Sequence, residues 1–169
     1  MLVVKLIILS LIVIICSLIG INRARKYETR EYILREAIAL FKGIENEIKY
    51  TLATIPNAIE SVRINMKTKL KDVMGQVSFE LLKYNVSQES IAKEIDTLNE
   101  LTPYDKQVIT NGIIKLGSSD VEGQIGIIEM TLNSLDDQLI SSIEDKKKNS
   151  KIYKTVGIAA GLIIAIVFI

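Results

Sequence analysis

Two uncharged apolar runs, one near each end of the 169-residue chain, constrain its fold more than any other feature. They cover residues 6–22 and 155–169. An α-helix rises about 1.5 Å per residue, so the first run covers about 26 Å, close to the roughly 30 Å of bilayer hydrocarbon. The second covers about 22 Å and needs Tyr153 and the stem of Lys154 at the interface, or a thinner bilayer. We predict a transmembrane helix at each end, over residues 1–22 and 155–169.

Each run has an alternative interpretation. The first could be a cleaved signal peptide, but no small-x-small cleavage site precedes Arg23. The second could be the buried core helix of a domain. Cys16 could be a lipobox cysteine, but Ile15 stands where such a motif has a small residue, so a small-hydrophobe role is favoured.

Basic residues flank both runs on the side of the intervening segment, residues 23–154. Positively charged loops stay in the cytoplasm, so we predict a two-pass membrane protein with a cytoplasmic domain and both termini on the far side. The basic residues also indicate contact with anionic lipid headgroups. They are Arg23, Arg25, Lys26 and Arg30 after the first run, and Lys146, Lys147, Lys148, Lys151 and Lys154 before the second.

The middle of the predicted cytoplasmic domain is acidic. Residues 36–140 contain sixteen acidic and ten basic side chains, whereas residues 23–35 and 141–154 each contain five basic and two acidic ones. An acidic body is unsuited to binding phosphate backbones, so nucleic acid is not an expected partner.

The loop shows helical periodicity and no strand pattern of similar strength, which predicts an all-α bundle of five or six helices whose first and last members extend the membrane helices. Expected helices cover residues 25–51, 56–73, 78–84, 87–98 and 102–116, with a last helix opened by a capping box at Ser119. Gly75 and Gly117 are expected to end helices. The apolar stripe of the first helix is Ile33, Ala37, Leu40, Phe41, Ile44 and Ile48.

Residue types that usually carry chemistry are scarce. The chain has no histidine and one cysteine, which removes most zinc sites and histidine-dependent catalysis. The carboxylate pairs Glu45/Glu47 and Asp136/Asp137 are expected to be solvated, and residues 112–119 have the glycine spacing of a phosphate-binding loop without its lysine. We predict no catalytic, metal-binding or cofactor-binding residue, and a protein that is not an enzyme.

Gly157 and Gly161 form a small-xxx-small pattern in the second run. Such a pattern lets another helix approach the backbone closely. The two glycines are predicted membrane-helix packing residues, against the first helix or a second copy, and the alternative of no role stays open.

Three segments resemble the stage III sporulation protein AB family. Residues 151–157 resemble its K-x-Y-K-[ST]-x-G ending, residues 47–58 its E-I-x-Y-x-x-T-P-L-P-E-A segment, and residues 116–124 its L-G-x-[ST]-D-x-E-x-Q segment. The chain departs from the family pattern at Ala53, Thr54, Asn57 and Gly123.

The resemblance implies a component of the membrane complex between mother cell and forespore, in the outer forespore membrane. It implies a helical domain similar to the type II secretion system F platform protein, and coupling of a cytoplasmic secretion-type ATPase (stage III sporulation protein AA) to channel-forming membrane proteins. Expected partner-contact residues lie where helices begin: Glu47, Tyr50, Asp120 and Gln124. Asp120 could instead be a capping carboxylate, and Tyr50 could instead pack in the core or at an interface. The alternative is a two-span sensor or adaptor with a helical signalling loop, and a homo-oligomer is left open.

Overall fold

The computed structural model describes the backbone of residues 2–83, 87–117 and 120–168, and the side chains of residues 9–83, 87–117 and 120–167. Within these residues the chain is helical and has no strand, which confirms the all-α prediction. The elements in chain order are α1 (Leu2–Asn46), a first π turn (Glu47–Thr51), α2 (Ile55–Arg63), α3 (Leu70–Leu81), α4 (Gln88–Asp96), α5 (Pro103–Leu116), α6 (Val121–Asp145), a second π turn (Lys146–Ser150) and α7 (Lys151–Phe168).

The chain divides into two compact units. Unit 1 comprises Met1–Glu31 and Ser141–Ile169, and unit 2 comprises Tyr32–Ile140. Helices α1 and α6 each contribute residues to both units. The predicted boundaries near residues 22 and 155 refer to a membrane surface and stay a prediction.

The core of unit 2 forms along the predicted apolar stripe, which lies on α1 and ends at Ile48 of the first π turn. All six residues of that stripe are at most 2% exposed, and Phe41 is wholly buried. A fully buried side chain of this size contributes about 1.5–3 kcal/mol relative to an exposed one, so the stripe is a major source of stability. Helices α2 to α6 also contribute to the core, with Ile59, Leu70, Met74, Ile91, Ile95, Ile109, Ile113, Ile128 and Leu135 among the buried residues.

The predicted helix over residues 56–73 is wrong, because α2 ends at Arg63 and α3 begins at Leu70. The intervening turn is held by Glu36 of α1. The Glu36 carboxylate accepts hydrogen bonds from the backbone N–H of Lys67 at 2.6 Å and from the N–H and hydroxyl of Thr68. These bonds satisfy backbone donors outside helix geometry and so support the break.

The expected helix end at Gly75 is also wrong, because α3 continues through it to Leu81. A Cβ at Gly75 would lie 2.9 Å from Cζ of Arg63. The glycine therefore makes room for the Arg63 side chain and does not end the helix. The predicted piece at residues 78–84 is the end of α3, and its last residue, Tyr84, lies outside the described part of the chain.

Two predicted helix starts are confirmed. Ser87 accepts a hydrogen bond from the N–H of Glu89 at the start of α4. At the start of α5, Thr102 and Asp105 form a capping box: the Thr102 hydroxyl accepts from the Asp105 N–H at 3.2 Å, and the Asp105 carboxylate accepts from the Thr102 N–H at 2.8 Å. Gly117 follows the last residue of α5, as expected.

Candidate functional site

The turn between α1 and α2 presents two exposed apolar side chains. Tyr50, in the first π turn, is 82% exposed, and Leu52, which follows it, is 76% exposed. Leu52 has a φ of 53° and is the only described non-glycine residue with a positive φ. A left-handed backbone costs a residue with a Cβ roughly 1–2 kcal/mol, so the surroundings must hold Leu52 in place.

Glu47 provides that support. Its carbonyl oxygen accepts from the N–H of Leu52, and from Ala53 at 3.4 Å. Its carboxylate accepts from the hydroxyl of Ser61 at 2.7 Å and lies 2.9 Å from the hydroxyl of Thr51. Because Ser61 belongs to α2, the Glu47 side chain links the turn that follows α1 to α2. We call this set of hydrogen bonds, which supports the turn carrying Tyr50 and Leu52, the Glu47 clamp.

The sequence analysis names Glu47 and Tyr50 but misses Leu52. Nothing in the local sequence signals a left-handed leucine, since such positions favour Gly or Asn. We call Tyr50 and Leu52 together the tip.

Asp120 and Gln124 lie at the start of α6, away from the tip in sequence. The Asp120 carboxylate accepts from the N–H of Gly123 at 3.0 Å, and its carbonyl oxygen accepts from the N–H of Gln124 at 2.8 Å. Asp120 therefore caps α6, and Gln124 is half-buried. The predicted cap at Ser119 lies outside the described residues.

In unit 1, α1 and α7 approach each other at glycines. A Cβ at Gly157 would lie 2.9 Å from the carbonyl oxygen of Cys16 and 3.0 Å from Cα of Gly20. A Cβ at Gly161 would lie 3.0 Å from Cα of Val13. These neighbours are backbone atoms that cannot turn away, so the approach requires glycine.

In unit 1, ring contacts and ion pairs also join α1 to α7 and to the residues just before α7, close to the basic residues of both segments. The ring centroids of Tyr27 and Tyr153 lie 5.9 Å apart, and burial is the main cause that raises the pKa of Tyr27, followed by its hydrogen bond with Tyr153. The ion pairs are Arg30–Asp145 at 2.8 Å, Lys146–Glu31 at 3.0 Å and Lys154–Glu28 at 3.6 Å. The Arg30 side chain is 6% exposed, whereas that of its partner Asp145 is 45% exposed.

The continuous helix Val121–Val167 is long and apolar enough to cross a membrane. Only 11% of its apolar 18-residue stretch is buried, whereas a core helix would be mostly buried. It is the one such helix among the described residues, and the N-terminal span stays a prediction. Exposed apolar side chains also occur in α1 of unit 1, namely Leu11, Ile14, Ile15, Leu18 and Ile19.

The two predicted carboxylate pairs differ in exposure. Asp136 and Asp137 are exposed, as expected, whereas Glu45 and Glu47 are half-buried, and Glu45 is ion-paired with Lys49 at 2.5 Å. In the part of the chain that the structure describes, no three His, Cys, Asp or Glu residues lie together as a metal site would require. Gly112, the first glycine of the phosphate-loop-like segment, is buried within α5 against Phe41 and Thr131.

These features define an all-helical, membrane-associated protein with a compact helical unit and a closely packed helix pair. The sequence model of the stage III sporulation protein AB family matches residues 5–169, so the chain belongs to this family. Membership implies a role in stage III of sporulation. No curated protein and no solved structure matches the chain.

Proposed function

We propose that the protein is a non-enzymatic platform of the sporulation complex between mother cell and forespore, which binds a cytoplasmic secretion-type ATPase and couples it to channel-forming membrane proteins. Unit 1 anchors the chain as a two-pass protein of the outer forespore membrane, and unit 2 faces the mother cell cytoplasm. The platform is similar in role to the type II secretion F protein.

The tip is the observation that supports this proposal most strongly. Tyrosine is enriched among the residues that dominate binding energy at protein interfaces, and exposed apolar side chains close together in one turn indicate a contact site. The tip keeps Tyr50 and Leu52 exposed on a strained backbone. The hydrogen bonds of the Glu47 clamp could hold a turn of more polar residues equally well, so the structure of the turn does not itself require these two apolar side chains. We assign the tip to contact with the ATPase.

The helix pair of unit 1 fits the second half of the proposal. Its glycine approach and three ion pairs give the anchor a defined geometry. Its exposed apolar side chains on α1 and α7 are available to lipid and to other membrane helices. Contacts to the channel proteins are assigned to those side chains.

Capture of the purified ATPase by the full-length protein in detergent tests the proposal. Tyr50→Ala and Leu52→Gly are expected to reduce capture at least tenfold, since loss of an interface hot spot costs 2 kcal/mol or more, roughly thirtyfold. Leu52→Gly is informative because glycine relieves the left-handed strain, so the variant should be at least as stable as wild type. Loss of capture by a stabilised variant cannot be attributed to unfolding.

Tyr104→Ala is the matched control, because Tyr104 lies on α5 and is also more than half exposed. It is expected to leave capture unchanged. Full capture by both tip variants would remove the tip from the proposal, and the absence of capture by wild type would favour the sensor or adaptor alternative. A platform should also be absent from growing cells, whereas a general sensor should be present in them.

A further inference from the structure

An open groove of about 600 Å³ runs along the end of the helix pair in unit 1. It is formed by the second π turn and the first residues of α7, with Glu31 of α1 and Ile143 of α6 on its walls. The residues that line it are Glu31, Ile143, Lys146, Lys147, Ser150, Lys151, Lys154 and Thr155. Four lysines against one carboxylate make it strongly cationic.

The lysines of the groove differ in how far they are neutralised. Lys146 pairs with Glu31, and Lys154 pairs at longer range with Glu28. Lys147 and Lys151 are exposed, and neither has an ion-pair partner among the described residues. The groove therefore keeps two ammonium groups available to an anion, next to the hydroxyl-bearing Ser150 and Thr155.

The position of the groove indicates which anion it meets. Thr155 begins the uncharged run of α7, and the side chains beyond it include the exposed Val156, Ile158 and Leu162. An anion in the groove thus lies beside a surface suited to hydrocarbon. A phospholipid joins these two chemistries in one molecule, with an anionic headgroup and apolar chains.

We propose that this groove binds the phosphodiester headgroup of an anionic phospholipid. Lys147 and Lys151 hold the phosphate, and the acyl chains lie along the apolar part of α7. This assignment is independent of the platform proposal, because it concerns a bound lipid and no protein partner. It also differs from general attraction to a charged surface, since it requires particular lysines.

The test uses full-length protein reconstituted in phosphatidylcholine vesicles that contain a minority of phosphatidylglycerol. The protein is then extracted in mild detergent, and native mass spectrometry counts the lipids that remain bound. Wild type is expected to retain phosphatidylglycerol in preference to phosphatidylcholine. The double variant Lys147→Gln/Lys151→Gln is expected to lose about 25-fold in affinity, a factor of about five for each lysine.

The control variant Lys26→Gln/Lys148→Gln removes the same charge from exposed residues that do not line the groove. It is expected to retain the lipid. Equal loss of bound phosphatidylglycerol in both variants would show that general attraction to surface charge, and not the groove, retains the lipid. If wild type showed no preference for phosphatidylglycerol over phosphatidylcholine, the assignment would be overturned.

Two further readouts address other occupants. Millimolar inorganic phosphate should leave the bound lipid in place, because it lacks the acyl chains. Displacement by phosphate would identify a site for a soluble anion. A groove variant that keeps its lipid but changes the mass of the oligomer would assign the lysines to contact between copies. Either result contradicts the lipid assignment.

Discussion

The same glycine-to-alanine substitution should have opposite effects at two helical positions of unit 2. Gly112, in α5, is buried, and a Cβ there would lie 2.8 Å from Cζ of Phe41 and 2.8 Å from Cγ2 of Thr131. Gly126, in α6, has no heavy atom of the described residues within 4 Å of the corresponding position, apart from its chain neighbours and the backbone of its own helix. Neither glycine has a positive φ, so backbone strain does not enter the comparison.

The expected magnitudes follow from two terms. Alanine is favoured over glycine in a helix interior by about 1 kcal/mol, and this is the whole effect expected at Gly126. Carbon atoms prefer separations of about 3.5–4.0 Å, so a Cβ at Gly112 must displace the wholly buried Phe41, at an overpacking cost of up to about 3 kcal/mol. Gly112→Ala should therefore destabilise by about 2 kcal/mol, while Gly126→Ala stabilises by about 1 kcal/mol.

Thermal unfolding of the full-length protein in detergent, followed by circular dichroism, measures the difference. About 3 kcal/mol between the variants corresponds to roughly 6–12 °C in Tm for a protein of this size. If Gly112→Ala matched Gly126→Ala, the close packing of α5 against Phe41 would be refuted. The reasoning would fail equally if both substitutions destabilised.

Three further predictions concern single contacts. A hydrogen bond from Arg63 lowers the pKa of Glu60, so this pair stabilises the protein at pH values above the ordinary carboxyl pKa and loses its effect as the pH falls through the lowered pKa. The Tm difference between wild type and Glu60→Gln should therefore vanish on acidification, and a constant difference would contradict this. Asp120→Ala should lose about 1 kcal/mol in urea unfolding through the missing cap of α6. Gly157→Leu should lower the Tm in detergent by the equivalent of about 1–3 kcal/mol, whereas Leu at the exposed Ala159 should not.

Local signals made much of the fold predictable. The stripe of α1 and the caps at Ser87 and Thr102 depend on residues within a few positions of each other, and the structure confirms them. The break after Arg63 was not predictable in this way, because the carboxylate that supports the turn belongs to Glu36, 31 residues earlier in the chain. The helix end expected at Gly75 is wrong for the same reason, since the role of this glycine depends on where the Arg63 side chain lies.

In the candidate sites too, local patterns were predictable from the sequence and contacts between distant residues were not. Gly157 and Gly161 were visible as a pattern, but the atoms they meet, at Val13, Cys16 and Gly20, are far away in sequence. The sequence predicts a group of basic residues before the second apolar run. Which lysines are neutralised and which remain available depends on Glu28 and Glu31 of α1, and periodicity cannot pair them. Periodicity also misleads at Ile143, which continues the apolar stripe of α6 and would be expected in a core. In the structure it is 39% exposed, in unit 1.

The second π turn sets the phase of α7. A π turn closes its hydrogen bonds one residue later than an α turn, so it holds one extra residue and shifts the angular position of everything after it. Successive residues of an α-helix are about 100° apart, so an α turn in place of this π turn, with no residue removed, would rotate α7 by about that angle. Gly157 and Gly161 would then point away from α1 although their sequence was unchanged. Deleting one residue of the turn, such as Lys148, would instead leave an α turn and keep the two glycines facing α1. The second π turn is therefore a place where the chain can lose one residue without losing the glycine approach.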